Sequence, residues 1–307
     1  MTDTMPSLVL RDAAQISEES FADLRERRHR DPEAVGAAFS ARKRRAVADG
    51  DGRLLIVAAD HPARGALGVK NAPMAMADRY DLLQRMATAL SRPGVDGVLG
   101  TPDIIDDLAL LGLLENKIVV GSMNRGGLRG ASFEMDDRYT AYDAAGMVRD
   151  GLDFAKVLIR LDLADPGTVA TMEATARAVD ACAAARLPIM LEPFMSDRID
   201  GKIVNDLSTE AVINSVAIAA GLGSTSAYSW LKLPVVPDME RVMASTTLPT
   251  LLLGGDPSGD PDAVCASWRK AVALPGVHGL VVGRTLLYPH DGDVAAAVDT
   301  AAQMVHG

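Results

Sequence analysis

Eight short apolar runs, rich in β-branched residues, recur along the chain after residue 53, and helix-spaced stretches separate them. The runs are LLIVAAD (54–60), VDGVLG (95–100), KIVVGSM (117–123), FAKVLIRL (154–161), PIMLEPF (188–194), YSWLKLPVV (228–236), TLLLGG (250–255) and GLVVGR (279–284). Strands that alternate with helices pair in parallel through helical crossovers. Eight such units in about 250 residues is the number and size of a (β/α)₈ barrel. The expected fold class is therefore α/β, a single (β/α)₈ TIM barrel with an N-terminal helical extension. The extension spans residues 1–53 and the barrel 54–307. An open doubly wound sheet is the rival, but it usually has fewer strands, and no G-x-G-x-x-G follows the first run. Within the extension, SEESFADLRERRHRDPEAVGAAFSARKRRAVADG reads as two helices broken near Asp31-Pro32. It either covers the barrel bottom or joins a neighbouring subunit.

Composition narrows the partners. The formal net charge of −10 argues against broad attraction to nucleic acid or an anionic membrane, while a local basic pocket for a small anion is compatible with it. The two cysteines, Cys182 and Cys265, form no framework, and the start of the chain lacks the basic and apolar regions of a signal peptide. No run approaches the ~18 apolar residues of a membrane span. A cytoplasmic protein with a small-molecule partner is expected. Many barrels assemble as homo-oligomers, and the same is expected here, although no apolar stripe marks an interface.

Charge stands where a barrel interior should be dry. Catalytic side chains of such barrels come from strand C-terminal ends and the loops after them. Asp60 ends the first run, Lys156 lies in the fourth with Arg160 beyond it, Glu192 lies in the fifth and Lys232 in the sixth. Period-two alternation places Tyr228, Trp230 and Lys232 on one face and Leu231, Leu233 and Val235 on the other, so Lys232 points inward. An inward lysine is either a structural partner of Glu192 or a nucleophile. Burial and a second cation such as Lys156 would lower its pKa. A neutral amine attacks a carbonyl to make a Schiff base, with Glu192 placed to shuttle protons. Four charged groups on four strands fit one mechanism better than four separate structural pairs.

The seventh run ends in Gly254-Gly255 and the eighth in Gly283-Arg284. Barrels often bind phosphate at these two strand ends, where glycine permits close backbone approach and an arginine donates charged hydrogen bonds. After the first run, ADHPARGALG offers His61 and Arg64 to a substrate, although for His61 a polar loop capped by Asp60 is the favoured account. GSMNRGGLRG (121–130) resembles a flexible lid or a long loop. The five histidines form no H-x₃-H or H-E-x-x-H pair and there is no C-x-x-C, so neither a metal nor another cofactor is expected.

Taken together, AAD, FAKVLIRLD, PIMLEPF, WLKLPV and VVGRTLLY resemble the class I, Schiff-base aldolases of the tagatose-1,6-bisphosphate aldolase group. Their wider relatives are the archaeal-type fructose-bisphosphate aldolases and deoxyribose-phosphate aldolase. The resemblance covers roughly 54–290 as short motifs, most specifically the ordered D…K…E…K series. It implies Lys232 as the Schiff-base lysine, Glu192 as acid/base, Lys156 as substrate contact and pKa depressor, and Asp60 as hydroxyl ligand or holder of the lysines. The tagatose enzymes have D-Q-R-G after the first strand, whereas this chain reads DHPARG. The chain also resembles a bacterial (β/α)₈ family associated with myo-inositol catabolism. That likeness implies 2-deoxy-5-keto-gluconate 6-phosphate as substrate, with Arg64, Arg125 and Arg160 as candidate ligands of its carboxylate. Two other readings of the same residues stay open: a phosphosugar isomerase or epimerase with Glu192 as base, and a non-catalytic phosphosugar-binding protein.

Overall fold

The computed structural model of the chain describes residues 15–47, 49–255 and 261–307. The first residues of the chain and the stretch just after the Gly254-Gly255 pair lie outside the described residues. Two helices, α1 (Glu18–Arg30) and α2 (Glu33–Ala41), precede the barrel. Ser17 caps α1, Glu18 and Glu19 occupy its first turn and Arg27, Arg28 and Arg30 its last, which suits the helix dipole at both ends. Pro32 then prevents continuation.

The barrel follows as β1 (Leu54–Ala58), α3 (Arg79–Leu90), β2 (Gly97–Gly100), α4 (Pro102–Leu110), β3 (Ile118–Ser122), α5 (Ala144–Arg149), β4 (Phe154–Leu161) and α6 (Gly167–Ala184). Next come β5 (Ile189–Ile199), β6 (Lys202–Asn205), α7 (Thr209–Ala220), β7 (Ser229–Leu233), α8 (Met239–Ala244), β8 (Thr250–Leu253), α9 (Pro261–Val272), β9 (Val277–Val282), α10 (Arg284–Leu287) and α11 (Val294–His306). Eight parallel strands run in the order β1-β2-β3-β4-β5-β7-β8-β9, and β9 pairs back with β1 to close the barrel. The fold is a (β/α)₈ TIM barrel with an N-terminal helical extension.

One element departs from the sequence reading. The fifth run continues past Phe194 to Ile199, turns at Asp200-Gly201 and returns antiparallel as β6. Asp200 and Gly201 both have positive φ, 49° and 75°, which is the two-residue turn that Asp-Gly favours because its twist matches the strands. The strand within YSWLKLPVV is also shorter than the run, ending at Leu233 before Pro234 removes a ladder donor.

The period of two divides the strand side chains into two layers. Leu54, Ile56, Ile118, Phe154, Met190 and Leu251, among others, fill the barrel, with Trp230 edge-on to Phe154. Leu55, Val57, Val119, Val157, Leu191 and Leu231 face the helices. The bottom of the barrel is closed by the chain leaving α2. Arg42 and Arg44 both bond Asp153, at 3.0 and 2.7 Å, and Arg45 pairs with Asp96. Those carboxylates also accept Val119 N–H and Leu55 N–H, at 2.9 and 2.7 Å, and Val47 packs against the interior layer. Of the two roles open to the extension, residues 42–47 take the first and cover the bottom.

Gly279 makes close closure of β9 on β1 feasible. Its φ is +131°, and a Cβ there would lie 2.0 Å from the Leu54 carbonyl oxygen. Gly279→Ala is expected to destabilise the barrel by about 3 kcal/mol, lowering Tm by roughly 10 °C in a calorimetric scan.

Candidate active site

The interior layer sets the height of the site. Met190 pairs with Trp230 across β5 and β7, and two residues further along those strands stand Glu192 and Lys232. On β4, Lys156 stands two residues beyond Phe154, and Asp60 continues the inward face of β1 two residues beyond Ala58. Each charged group thus sits one inward step above an apolar plug, at the C-terminal mouth. Lys156, Lys232 and Glu192 are 2%, 4% and 7% exposed.

The four groups form one chain of contacts. Asp60 Oδ2 accepts from Lys156 Nζ at 2.8 Å. Lys156 Nζ also lies 2.6 Å from Glu192 Oε2, and Glu192 Oε1 lies 2.9 Å from Lys232 Nζ. The two lysines are not equivalent. Lys156 touches two carboxylates, and their attraction overcomes burial and holds its pKa above the ordinary lysine value. Lys232 has one carboxylate and must share it. Burial pushes its pKa down, the Lys156 cation adds to that, and Glu192 only partly opposes it. Burial alone would raise Asp60 and Glu192, but the lysines hold both carboxyls below their usual range. The arrangement offers a cation strengthened by two carboxylates, two carboxylates held toward ionisation, and one amine, Lys232, that gives up its proton more readily than an ordinary lysine.

A cavity of about 700 Å³ opens above this cluster. Gly254, Gly255, Gly283 and Arg284 border it at the ends of β8 and β9. Glycine at 283 is required by space, since a Cβ would lie 2.6 Å from the Ala58 carbonyl oxygen. In another sector of the mouth, after β1, β3 and on β4, the cavity is bordered by Arg64, Arg125, Arg129 and Arg160. Arg160 is itself tied to Glu134 at 2.6 Å and to the Gly126 carbonyl, yet its buried Nε has no hydrogen-bond partner.

The glycine-rich segment 121–130 is an anchored loop rather than a free lid. Asn124 donates to Asp137 and to the Leu158 carbonyl, both at 2.7 Å, and accepts from Leu158 N–H at 2.9 Å. Arg129 N–H bonds the Arg64 carbonyl at 3.0 Å, which links this loop to the one after β1. A Cβ at Gly126 would lie 1.9 Å from the Leu158 side chain, so glycine is what lets the loop pack this tightly.

Sequence reasoning missed Arg129, and it missed Ile203, Asn205 and Leu207, which the β5–β6 hairpin and its exit bring to the cavity wall. The signal for the hairpin was Asp200-Gly201 between apolar residues. Nothing local marked Trp268, which reaches the cavity from α9.

The model of the Cgl0159-like family matches residues 52–302. The chain belongs to the Cgl0159-like family. The crystal structure of Cgl0159 from Corynebacterium glutamicum is 69% identical, with a TM-score of 0.93, covering 95% of this chain and 98% of that one. At much lower identity, the Cgl0159-like chain shares its fold with class I aldolases. A Schiff-base-forming fructose-1,6-bisphosphate aldolase is 18% identical with a TM-score of 0.61, covering 88% and 99% of the two chains. An archaeal fructose-1,6-bisphosphate aldolase, solved with its catalytic lysine bound to a carbinolamine intermediate, is 19% identical with a TM-score of 0.60, covering 89% and 100%. A comparison with curated proteins gave no match. Among the described residues of this Cgl0159-like protein, no cluster of three or more His, Cys, Asp or Glu is arranged to hold a metal, and no helix is long and apolar enough to cross a membrane.

Proposed function

We propose that this protein is a class I aldolase that cleaves or forms a carbon–carbon bond in a phosphorylated ketose or keto-sugar acid through a Schiff base on Lys232. Dihydroxyacetone phosphate is one product. The observation that carries this reading is the unequal sharing of Glu192 by two buried lysines, 2.6 Å from Lys156 and 2.9 Å from Lys232. It leaves Lys232 as the amine most easily freed of its proton.

In the cleavage direction, Lys232 Nζ adds to the substrate ketone, and the carbonyl oxygen takes up a proton. Glu192 shuttles protons as the carbinolamine loses water, giving an iminium. In 2-ketose numbering (a 5-keto acid exchanges the roles of C3 and C4), the C3–C4 bond breaks, its electron pair passes into the iminium to give an enamine, and the C4 hydroxyl loses its proton to a base and becomes an aldehyde. Protonation of the enamine at C3 and hydrolysis of the imine release dihydroxyacetone phosphate and regenerate the amine. Lys156 keeps Asp60 ionised and returns Glu192 to its carboxylate form after each transfer. The glycines and Arg284 at the ends of β8 and β9 hold the phosphate. The arginines after β1 and β3 and on β4 suit a second anionic group at the far end of the substrate. A keto-sugar acid such as 2-deoxy-5-keto-gluconate 6-phosphate has one, and its cleavage to dihydroxyacetone phosphate and malonate semialdehyde would place the enzyme in inositol catabolism.

Borohydride reduction in the presence of dihydroxyacetone phosphate, followed by peptide mass mapping, tests the reading. A stable adduct on Lys232 is expected. The trapping rate should rise with pH and reach half its maximum below the ordinary lysine pKa of 10.5, because burial and Lys156 lower the Lys232 pKa. An adduct on Lys156 instead would keep the reaction class and reverse the lysine roles. Binding without any adduct would favour the isomerase or the non-catalytic binder.

A further inference from the structure

The Schiff-base route needs a group that accepts the hydroxyl proton as the carbon–carbon bond breaks and then gives it up. The four charged residues are poorly placed to be that group. Lys156 bonds Asp60 Oδ2, Lys156 and Lys232 hold the two oxygens of Glu192, and these cations hold both carboxyls below their usual range, which makes them weak bases, while the free oxygen Asp60 Oδ1 faces the His61 ring. Among the described residues, neither tyrosine nor cysteine borders the cavity, and the other ionisable groups there are cations, except His61.

His61 directly follows Asp60 and opens the short turn Pro62–Arg64 after β1. Its ring borders the cavity and extends toward Gly283, where a Cβ would lie 3.2 Å from the ring Cε1. The imidazole therefore lies between the Asp60 carboxylate and the glycine–arginine end of the site. Nδ1 is buried, lacks a hydrogen-bond partner and sits 3.7 Å from Asp60 Oδ1. A proton on Nδ1 directed at Asp60 leaves Nε2 as the accepting nitrogen, and such bonds commonly tighten only when substrate is bound. Burial and the cations Arg284, Lys232 and Arg64 keep the ring neutral, pushing its pKa down to about 3 against the attraction of Asp60. An anion bound beside Arg284 offsets part of that repulsion, so the ring gains basicity when substrate is in place.

We propose that His61 is the catalytic residue that transfers the proton in the carbon–carbon step. This inference rests on the Schiff-base reading of Lys232. As the C3–C4 pair moves into the enamine, the O–H pair of the C4 hydroxyl becomes the second bond of the aldehyde carbonyl, and the proton passes to Nε2. His61 then delivers a proton from Nε2 to C3 of the enamine and returns to neutral. With dihydroxyacetone phosphate alone, the same residue removes and replaces a hydrogen at C3.

The test uses dihydroxyacetone phosphate in deuterated water with the wild type, His61→Asn and His61→Gln. Imine formation is read by borohydride trapping on Lys232, and proton transfer by loss of the C3 hydrogen signal in NMR spectra. Both variants should trap within about threefold of wild type while exchange falls by roughly 10²–10⁴-fold. The variants should also lose the pH limb of exchange that belongs to the ring. Asp60, Lys232, Arg64 and Arg284, the charged groups facing it, are present in all three proteins, so a limb common to all belongs to them. Exchange at the wild-type rate in both variants overturns the proposal and leaves Lys232 in its role. Equal loss of trapping and exchange assigns His61 a structural role and also overturns it. A wild type that forms no adduct overturns the Schiff-base reading and this proposal together.

Discussion

Lys232→Met is expected to reduce carbon–carbon cleavage by at least about 10⁴-fold, on the order of 5 kcal/mol in the barrier, because the covalent route disappears. Its thermal transition should nevertheless be no lower than that of wild type. A lysine whose folded pKa lies below its unfolded value of 10.5 costs stability at any pH below that value, and the cost is relieved only as pH rises toward it. Methionine has similar length and no charge to desolvate, and Glu192 keeps Lys156 at 2.6 Å. The pair of measurements is activity at saturating substrate and a calorimetric scan at neutral pH. Near-wild-type activity would remove Lys232 from the mechanism. A lower Tm with lost activity would make the lysine a structural ion-pair partner instead.

Lys156→Met is expected to have the opposite balance. Removing one partner of a buried ion pair leaves an uncompensated charge and costs about 3–5 kcal/mol. Here Asp60 loses the cation that bonds it at 2.8 Å, while Glu192 retains only Lys232. The loss should depend on pH. In the wild type, Asp60 and Glu192 lie below their unfolded values of 3.8 and 4.5, so their contribution is present above about pH 4.5 and is lost as pH falls. Lys156 lies above its unfolded value of 10.5, so its contribution is present below that value and is lost as pH rises through the folded pKa. In the variant, the carboxyl pKa values move up toward protonation, so stability declines as pH rises through them. The Tm deficit should be larger at pH 8 than at pH 4.5. Borohydride trapping should still label Lys232, more slowly at neutral pH, because the repelling cation that lowers its pKa is gone. A deficit independent of pH would show that Lys156 contributes through packing alone.

Much of the architecture is local in origin and therefore legible in the chain itself. Steric exclusion along a strand gives side chains a period of two, so Trp230 and Lys232 had to share a face opposite Leu231 and Leu233. The alternation of such strands with helices left few topologies beyond the closed barrel. From these two facts, the D…K…E…K groups of Asp60, Lys156, Glu192 and Lys232 could be assigned to the inner face of one mouth. Turn chemistry was equally local, and Asp200-Gly201 carried the hairpin that lengthens β5. The glycine-rich loop is a different matter. Its composition suggests freedom, yet Gly126 and Gly127 are the positions where Leu158 and Glu134 press against it.

What the chain by itself determined is that Lys232 points inward and that Asp60, Lys156 and Glu192 lie toward the C-terminal ends of their strands. Tertiary structure alone decided how they are shared. Barrel closure places β4, β5 and β7 side by side, so that one carboxylate, Glu192, stands between two lysines, and it brings Asp60 across from β1 to only one of them. It also carries the ring of His61 toward Gly283, more than 200 residues away in sequence. The periodicity of a strand arises from neighbours a few bonds away, whereas the energy of a buried charge depends on distances to groups far along the chain. Those distances exist only once the barrel has closed.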